Sequence, residues 1–176
     1  MPLIQITEPA SQPITVDEVK DLGRIDGSEY DAQLALIIPG LTRNAEALTG
    51  RVFVPRTMEL VLDGFPAYEI DLLLPNVTAI ASVKYIDEAG LTQTLADTAY
   101  SLDSDSTPCW LLPAYGTAWP AAKAVANALR VRYTAGFATV PHDIKLWIIA
   151  KCLEQINQQK ADHADGFLDP YRMYRF

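Results

Sequence analysis

Along this chain of 176 residues, the spacing of apolar positions is helical near both ends and alternating in the middle. Residues 1–13 carry three prolines and few large apolar groups, which predicts an extended arm. Thr15-Val16-Asp17-Glu18 then has the form of a capping box, with Glu18 three residues after the threonine. Asp17 and Glu18 also suit the positive end of a helix whose stripe is Val16, Val19 and Leu22 and whose stop is Gly23. A second helix is predicted from Ser28, as its cap, to Thr49. Leu34, Ile37, Ile38, Leu41, Ala45 and Leu48 recur at spacings of three and four, and Gly50 ends it. Pro39 falls inside this pattern, where a missing N–H and a steric clash predict a kink or break.

From Arg51 the period changes. Short runs of strand formers lie at Met58–Asp63, Glu69–Leu74, Ile80–Ile86, Leu91–Leu95, Tyr100–Leu102, Cys109–Leu112 and Asn127–Tyr133. Asp87-Glu88-Ala89-Gly90 is a turn that makes Leu91–Leu95 the hairpin partner of the run before it. Alternation in these runs predicts antiparallel pairing with one face wet. Pro141 then opens a last helix, with Ile144, Trp147, Ile148, Cys152 and Ile156 in helical register and Leu146, Ile149 and Leu153 widening the stripe.

Helix, helix, β-meander, helix and tail make an α+β fold, in which a small helical bundle receives an inserted antiparallel meander. We read residues 1–176 as one domain. Its helical part is 14–50 and 139–160, its β-rich insertion is 51–138, and its C-terminal arm is 161–176. That length is sufficient for a real core.

Composition narrows the function. No run of about 18 apolar residues occurs, so no membrane-spanning helix is expected, and the N-terminus lacks the basic-then-apolar order of a signal peptide. The formal net charge of -8 disfavours a general nucleic-acid binder, although an acidic wall would let a duplex pass without sticking. Cys109 and Cys152 suit buried thiols in a reducing compartment; a disulfide between them is also open.

Candidate chemistry is sparse. There are two histidines, His142 and His163. His142 stands at the start of the last helix beside Asp143, and sequence neighbours on a helix do not face each other. No G-x-S-x-G elbow, C-x-x-C pair or phosphate-binding G-x-x-x-x-G-K loop occurs. Asp162-His163-Ala164-Asp165-Gly166 fails the calcium-loop pattern, because its alternate positions are His163 and Ala161 and its closing position is Arg172. Asp103-Ser104-Asp105-Ser106-Thr107 has alternating oxygens, but Pro108 stands where glycine is needed. We therefore expect no catalytic residues, cofactor or metal. A hydrolase would instead need acids gathered from distant parts of the chain into one pocket. The most suggestive segment is the C-terminus, where Tyr171, Arg172, Met173, Tyr174, Arg175 and Phe176 mix aromatics and arginine, the types that carry binding energy at interfaces. Such a tail either folds back on its own domain or docks on a partner.

Several motifs in order resemble the head–tail connector (neck adaptor) family of tailed bacteriophages, in its longer form with a β-region between helices. They are Ile14–Lys20, Ala45–Arg51, Met58–Pro66, Val83–Asp87, Trp119-Pro120, Val131–Phe137, Pro141 before an Ile-rich helix, and Pro170-Tyr171-Arg172. Pro39 departs from the pattern, since such proteins more often carry a helix former there. The resemblance implies a structural virion protein of the neck, assembled in the bacterial host cytoplasm. It would form a ring, a dodecamer when assembled, that joins the portal protein to a stopper or tail protein and lets DNA pass without sequence-specific binding. It further implies that Pro170–Phe176 contacts the portal. A tail-completion or tail-terminator ring subunit is the alternative of the same kind, with the tail tube as partner.

Overall fold

A computed structural model describes residues 2–157 and 164–173. The chain forms two compact units, one from Pro9–Val54 with Phe137–Phe176 and one from Met1–Glu8 with Pro55–Gly136.

The first unit is helical. In α1 (Val16–Gly23) the capping box is complete: the Thr15 hydroxyl accepts the Glu18 N–H at 3.1 Å, and the Glu18 carboxylate accepts the Thr15 N–H at 2.7 Å. α2 (Asp31–Thr49) begins two residues later than a Ser28 cap would place it, because a backbone turn from Asp31 N–H to the Ser28 carbonyl takes up the predicted first turn. Ser28 does not cap it; Tyr30 stands at that position without a side-chain cap. The helix also runs on through Pro39, so of the kink or break expected there, the break does not occur. The carbonyl that loses its donor there is that of Ala35, on the exposed face, where water can satisfy it. Leu34 and Ile38, both buried, anchor the other face.

α3 (His142–Asn157) buries Ile144, Trp147, Ile148, Ile149 and Cys152. Leu146, assigned to the widened stripe from sequence, is instead exposed, since it lies on the face opposite Ile144 and Ile148. These side chains join Ile14, Val19, Leu34, Ile38, Ala45 and Phe53 in one core. Glu46 is buried with them, and its carboxylate accepts the Phe53 N–H at 2.8 Å, turning the chain out of α2.

The second unit holds two antiparallel sheets. β1 (Leu3–Gln5), β2 (Arg56–Leu62), β8 (Leu129–Ala135), β4 (Val77–Ile86) and β5 (Thr92–Leu95) lie side by side in that order. β3 (Ile70–Asp71), β7 (Trp110–Pro113) and β6 (Tyr100–Asp103) form the second sheet. The antiparallel α+β character is as expected, but the strands are not in plain meander order: β8 lies between β2 and β4. The N-terminal arm contributes an edge strand, with Leu3 opposite Leu60. β4 and β5 make the predicted hairpin, and the Asp87 carboxylate accepts the Leu91 N–H at 2.8 Å across its turn.

Register fixes the faces, because paired residues in an antiparallel sheet project to the same side. Leu60, Val131, Tyr133 and Val83 line one face of the larger sheet and are fully buried, as are Ile70 and Leu111 on the smaller sheet. The Tyr133 hydroxyl donates to the Leu72 carbonyl, so the two inner faces meet as a sandwich pinned by one buried hydrogen bond. Burial then raises the Tyr133 pKa well above that of an ordinary phenol.

Candidate partner-binding surfaces

The C-terminal segment is followed as far as Met173. A 3₁₀ stretch over Ala164–Tyr171 places Ala164 and Leu168 in the helical core, both buried. The Tyr171 ring meets Phe137 edge-on at 6.2 Å and 86°. Arg51 Nε donates to the Tyr171 carbonyl at 2.7 Å, and Met173 N–H donates to the Thr49 carbonyl at 3.0 Å. That last bond satisfies one of the carbonyls left open at the end of α2. Arg172 pairs with Asp169 three residues before it, at 2.9 Å. Tyr171 and Met173 are thus engaged within their own unit, and Arg172 is tied locally. Tyr174, Arg175 and Phe176 lie outside the described residues.

The other sequence candidates are placed as follows. His142 is exposed at the start of α3. Its neighbour Asp143 faces the Tyr171 hydroxyl at 3.5 Å. Burial and then this carboxylate raise the Tyr171 pKa. His163 and Asp162 lie outside the described residues. In the Asp103–Thr107 turn one carboxylate serves the backbone: Asp103 accepts N–H groups from Asp105 and Ser106 and the Ser106 hydroxyl at 2.6 Å. Those bonds, the Ser106 hydroxyl foremost, hold its pKa below the usual range. Among the described residues no group of three or more His, Cys, Asp or Glu side chains is placed to hold a metal ion. Both cysteines are buried, and neither is in a disulfide.

Two features of the β unit were not legible beforehand. One is an aromatic cluster. Phe65 stacks on Trp119 at 5.1 Å and meets Tyr85 edge-on at 5.4 Å, beside a cleft of about 440 Å³ lined by Phe65, Pro66, Trp119, Pro120 and several alanines. The other is Glu59, only 3% exposed, which accepts from Arg130 at 2.8 Å and Arg132 at 2.5 Å on the adjacent strand. Burial works to raise the Glu59 pKa, but the two guanidiniums outweigh it and the net shift is downward. Both features join residues far apart in sequence, Phe65 with Trp119 and Glu59 with Arg130 and Arg132, which strand periodicity alone does not pair.

No family model matches the chain, and no curated protein matches it. Solved structures do. A chain of the neck of an empty gene transfer agent particle, computed with C6 symmetry, superposes with a TM-score of 0.81 at 18% identity over 100% of this chain and 97% of that one. The chain has the fold of a gene-transfer-agent neck protein. A chain from the native gene transfer agent virion gives 0.80 at 20% identity, and one from the native neck, computed with C12 symmetry, gives 0.77 at 18%, each with the same coverage. The neck fold extends over the whole chain, helical and β units alike, and agrees with the connector resemblance carried by the motifs.

Proposed function

We propose that this chain is a structural, non-catalytic subunit of the neck of a phage-like particle, an adaptor that forms a ring between portal and tail and lets DNA pass through its lumen. The observation that carries this reading is the match of the neck fold over 100% of the chain, with almost nothing of the neighbour left over. The symmetric necks from which those neighbours come support a ring. The acidic balance of the chain supports a lumen that does not retain DNA. Assembly would occur in the host cytoplasm, with residues 170–176 as the portal-side contact.

Negative-stain imaging of the protein mixed with its cognate portal tests the reading. A ring of this protein seated on the portal is the expected result. Binding to a tail tube, with none to the portal, would move the chain to the tail-terminator alternative. For the terminal contact, deletion of 174–176 is the appropriate variant. It should weaken portal capture, with the urea midpoint of the helical unit measured alongside to separate a lost contact from a loosened core, and undiminished capture would remove these residues from the interface.

A further inference from the structure

A β-sandwich has two outer faces, and those of this β unit carry opposite charge. On the five-stranded sheet, cross-strand register puts Arg132 beside Glu59, and Lys84 beside Arg130 and Thr94, all on the outer side. The two arginine side chains are 48% and 47% exposed, whereas the Glu59 side chain is 5% exposed beneath them. Solvent therefore meets the cations and not the carboxylate. On the three-stranded sheet, one outer row runs Asp71, Trp110, Asp103, and the next pairs exposed Ser101 with exposed Leu112. Asp105 follows in the adjoining turn, and no lysine or arginine occurs between Lys84 and Lys123.

We infer that copies of this chain pack head-to-tail through these faces, the Lys84–Arg130–Arg132 face of one copy against the Asp71–Trp110–Asp103 face of the next. The inference rests on the ring reading above and names the surfaces that make the ring. A cyclic assembly needs two different patches on each subunit, and opposite faces of one sandwich provide them. Electrostatic complementarity sets register and rejects wrong pairings, while Trp110 and Leu112 offer apolar contact at the centre of the acidic face. DNA is the other polyanion such a cationic face could meet. A second copy is the better match, because the complementary acidic face lies on the same unit and the chain as a whole carries a net charge of -8.

The test neutralises each face without touching Glu59, Asp71 or Asp103, whose hydrogen bonds hold strands and turns. Lys84→Glu with Thr94→Glu offsets the two arginines of the first face; Ser101→Lys with Asp105→Lys offsets Asp71 and Asp103 on the second. Ring formation on the cognate portal is followed against protein concentration by negative stain and sedimentation, with circular dichroism and urea midpoints confirming that each variant is folded. Each single-face variant should raise the concentration for half-assembly by about tenfold or more, because neutralising either face removes the attraction between them, and added salt should raise that concentration for the unmodified chain in the same direction. Rings from every variant at the unmodified concentration would overturn the proposal while leaving the ring reading intact. Failure of the unmodified chain to form a ring would instead strike the ring reading. Loss of duplex-DNA retention with unchanged ring assembly in Lys84→Glu/Thr94→Glu would also overturn the proposal and assign that face to DNA.

Discussion

Leu168→Ala asks whether the C-terminal segment is part of the fold in solution. Leu168 is 0% exposed and lies in the core of the helical unit with Trp147, Ile148 and Phe53. Since the site is fully buried, the whole transfer cost of the lost carbons applies, and a cavity term adds to it. Leu→Ala changes at such sites cost roughly 2–5 kcal/mol. For a chain of this size each kcal/mol lowers Tm by about 2–4 °C, so about 3 kcal/mol corresponds to roughly 6–12 °C. The assay is urea unfolding at constant temperature. Fluorescence of Trp147, which is 3% exposed, reports the helical unit, with Trp110 and Trp119 replaced by Phe in both proteins to isolate that signal. A loss below about 0.5 kcal/mol, of the size of an ordinary surface substitution, would refute the docked position of this segment. The expected result also dictates how the portal contact is tested. A deletion beginning at residue 169 removes the Tyr171–Phe137 contact and the hydrogen bonds from Arg51 and Met173, so lost capture would be confounded with a loosened core.

Tyr133→Phe should cost about 1–3 kcal/mol in a urea titration of the β unit, because the buried Leu72 carbonyl loses its hydroxyl donor. Glu59→Gln should cost about 1–2 kcal/mol at neutral pH, a value discounted for the half-exposed arginines. The Glu59 pKa is depressed in the fold, so its contribution is complete above the unfolded value near 4.3 and is lost as pH falls through the lower folded one. The gap between parent and Glu59→Gln midpoints should therefore close as pH falls below the unfolded value near 4.3, and a gap that stays constant would refute the assignment. Thr15→Ala should destabilise α1 by about 1 kcal/mol, read as faster amide exchange at Glu18. Burial pushes the Cys152 thiol up to about 12, so thiol-specific reagents should label it only after unfolding; rapid labelling of the native protein would contradict the buried site.

Much of the fold was legible in the sequence where local chemistry decides it. The Thr15–Glu18 box, the Asp87–Gly90 turn and the stripe from Ile144 to Cys152 all act over a few residues, and each stands where the pattern put it. Misreadings arose where distant partners overrode local preference. Pro39 is carried through α2 because Leu34 and Ile38 hold the helix into the core while the freed carbonyl faces water. The first residues become a strand because β2 presents an edge for them to pair with. The candidate site was legible only in part. Residues 171–176 were picked out by type, but type cannot distinguish a free arm from a docked one, and the contacts of Tyr171 with Phe137 and Arg51 lie 34 and 120 residues away in sequence.

The sequence by itself determined the class of the molecule: helical ends, a strand-rich middle, a net charge of -8, and a connector-like order of motifs. Tertiary structure alone decided the placement of β8 between β2 and β4, the burial of Glu59 beneath two arginines, and the gathering of Lys84, Arg130 and Arg132 on one outer face. The reason is physical. Capping and periodicity are set by neighbours within a turn or two, whereas strand order and face charge depend on which strands lie side by side, and that is fixed only when the two sheets close on their shared core.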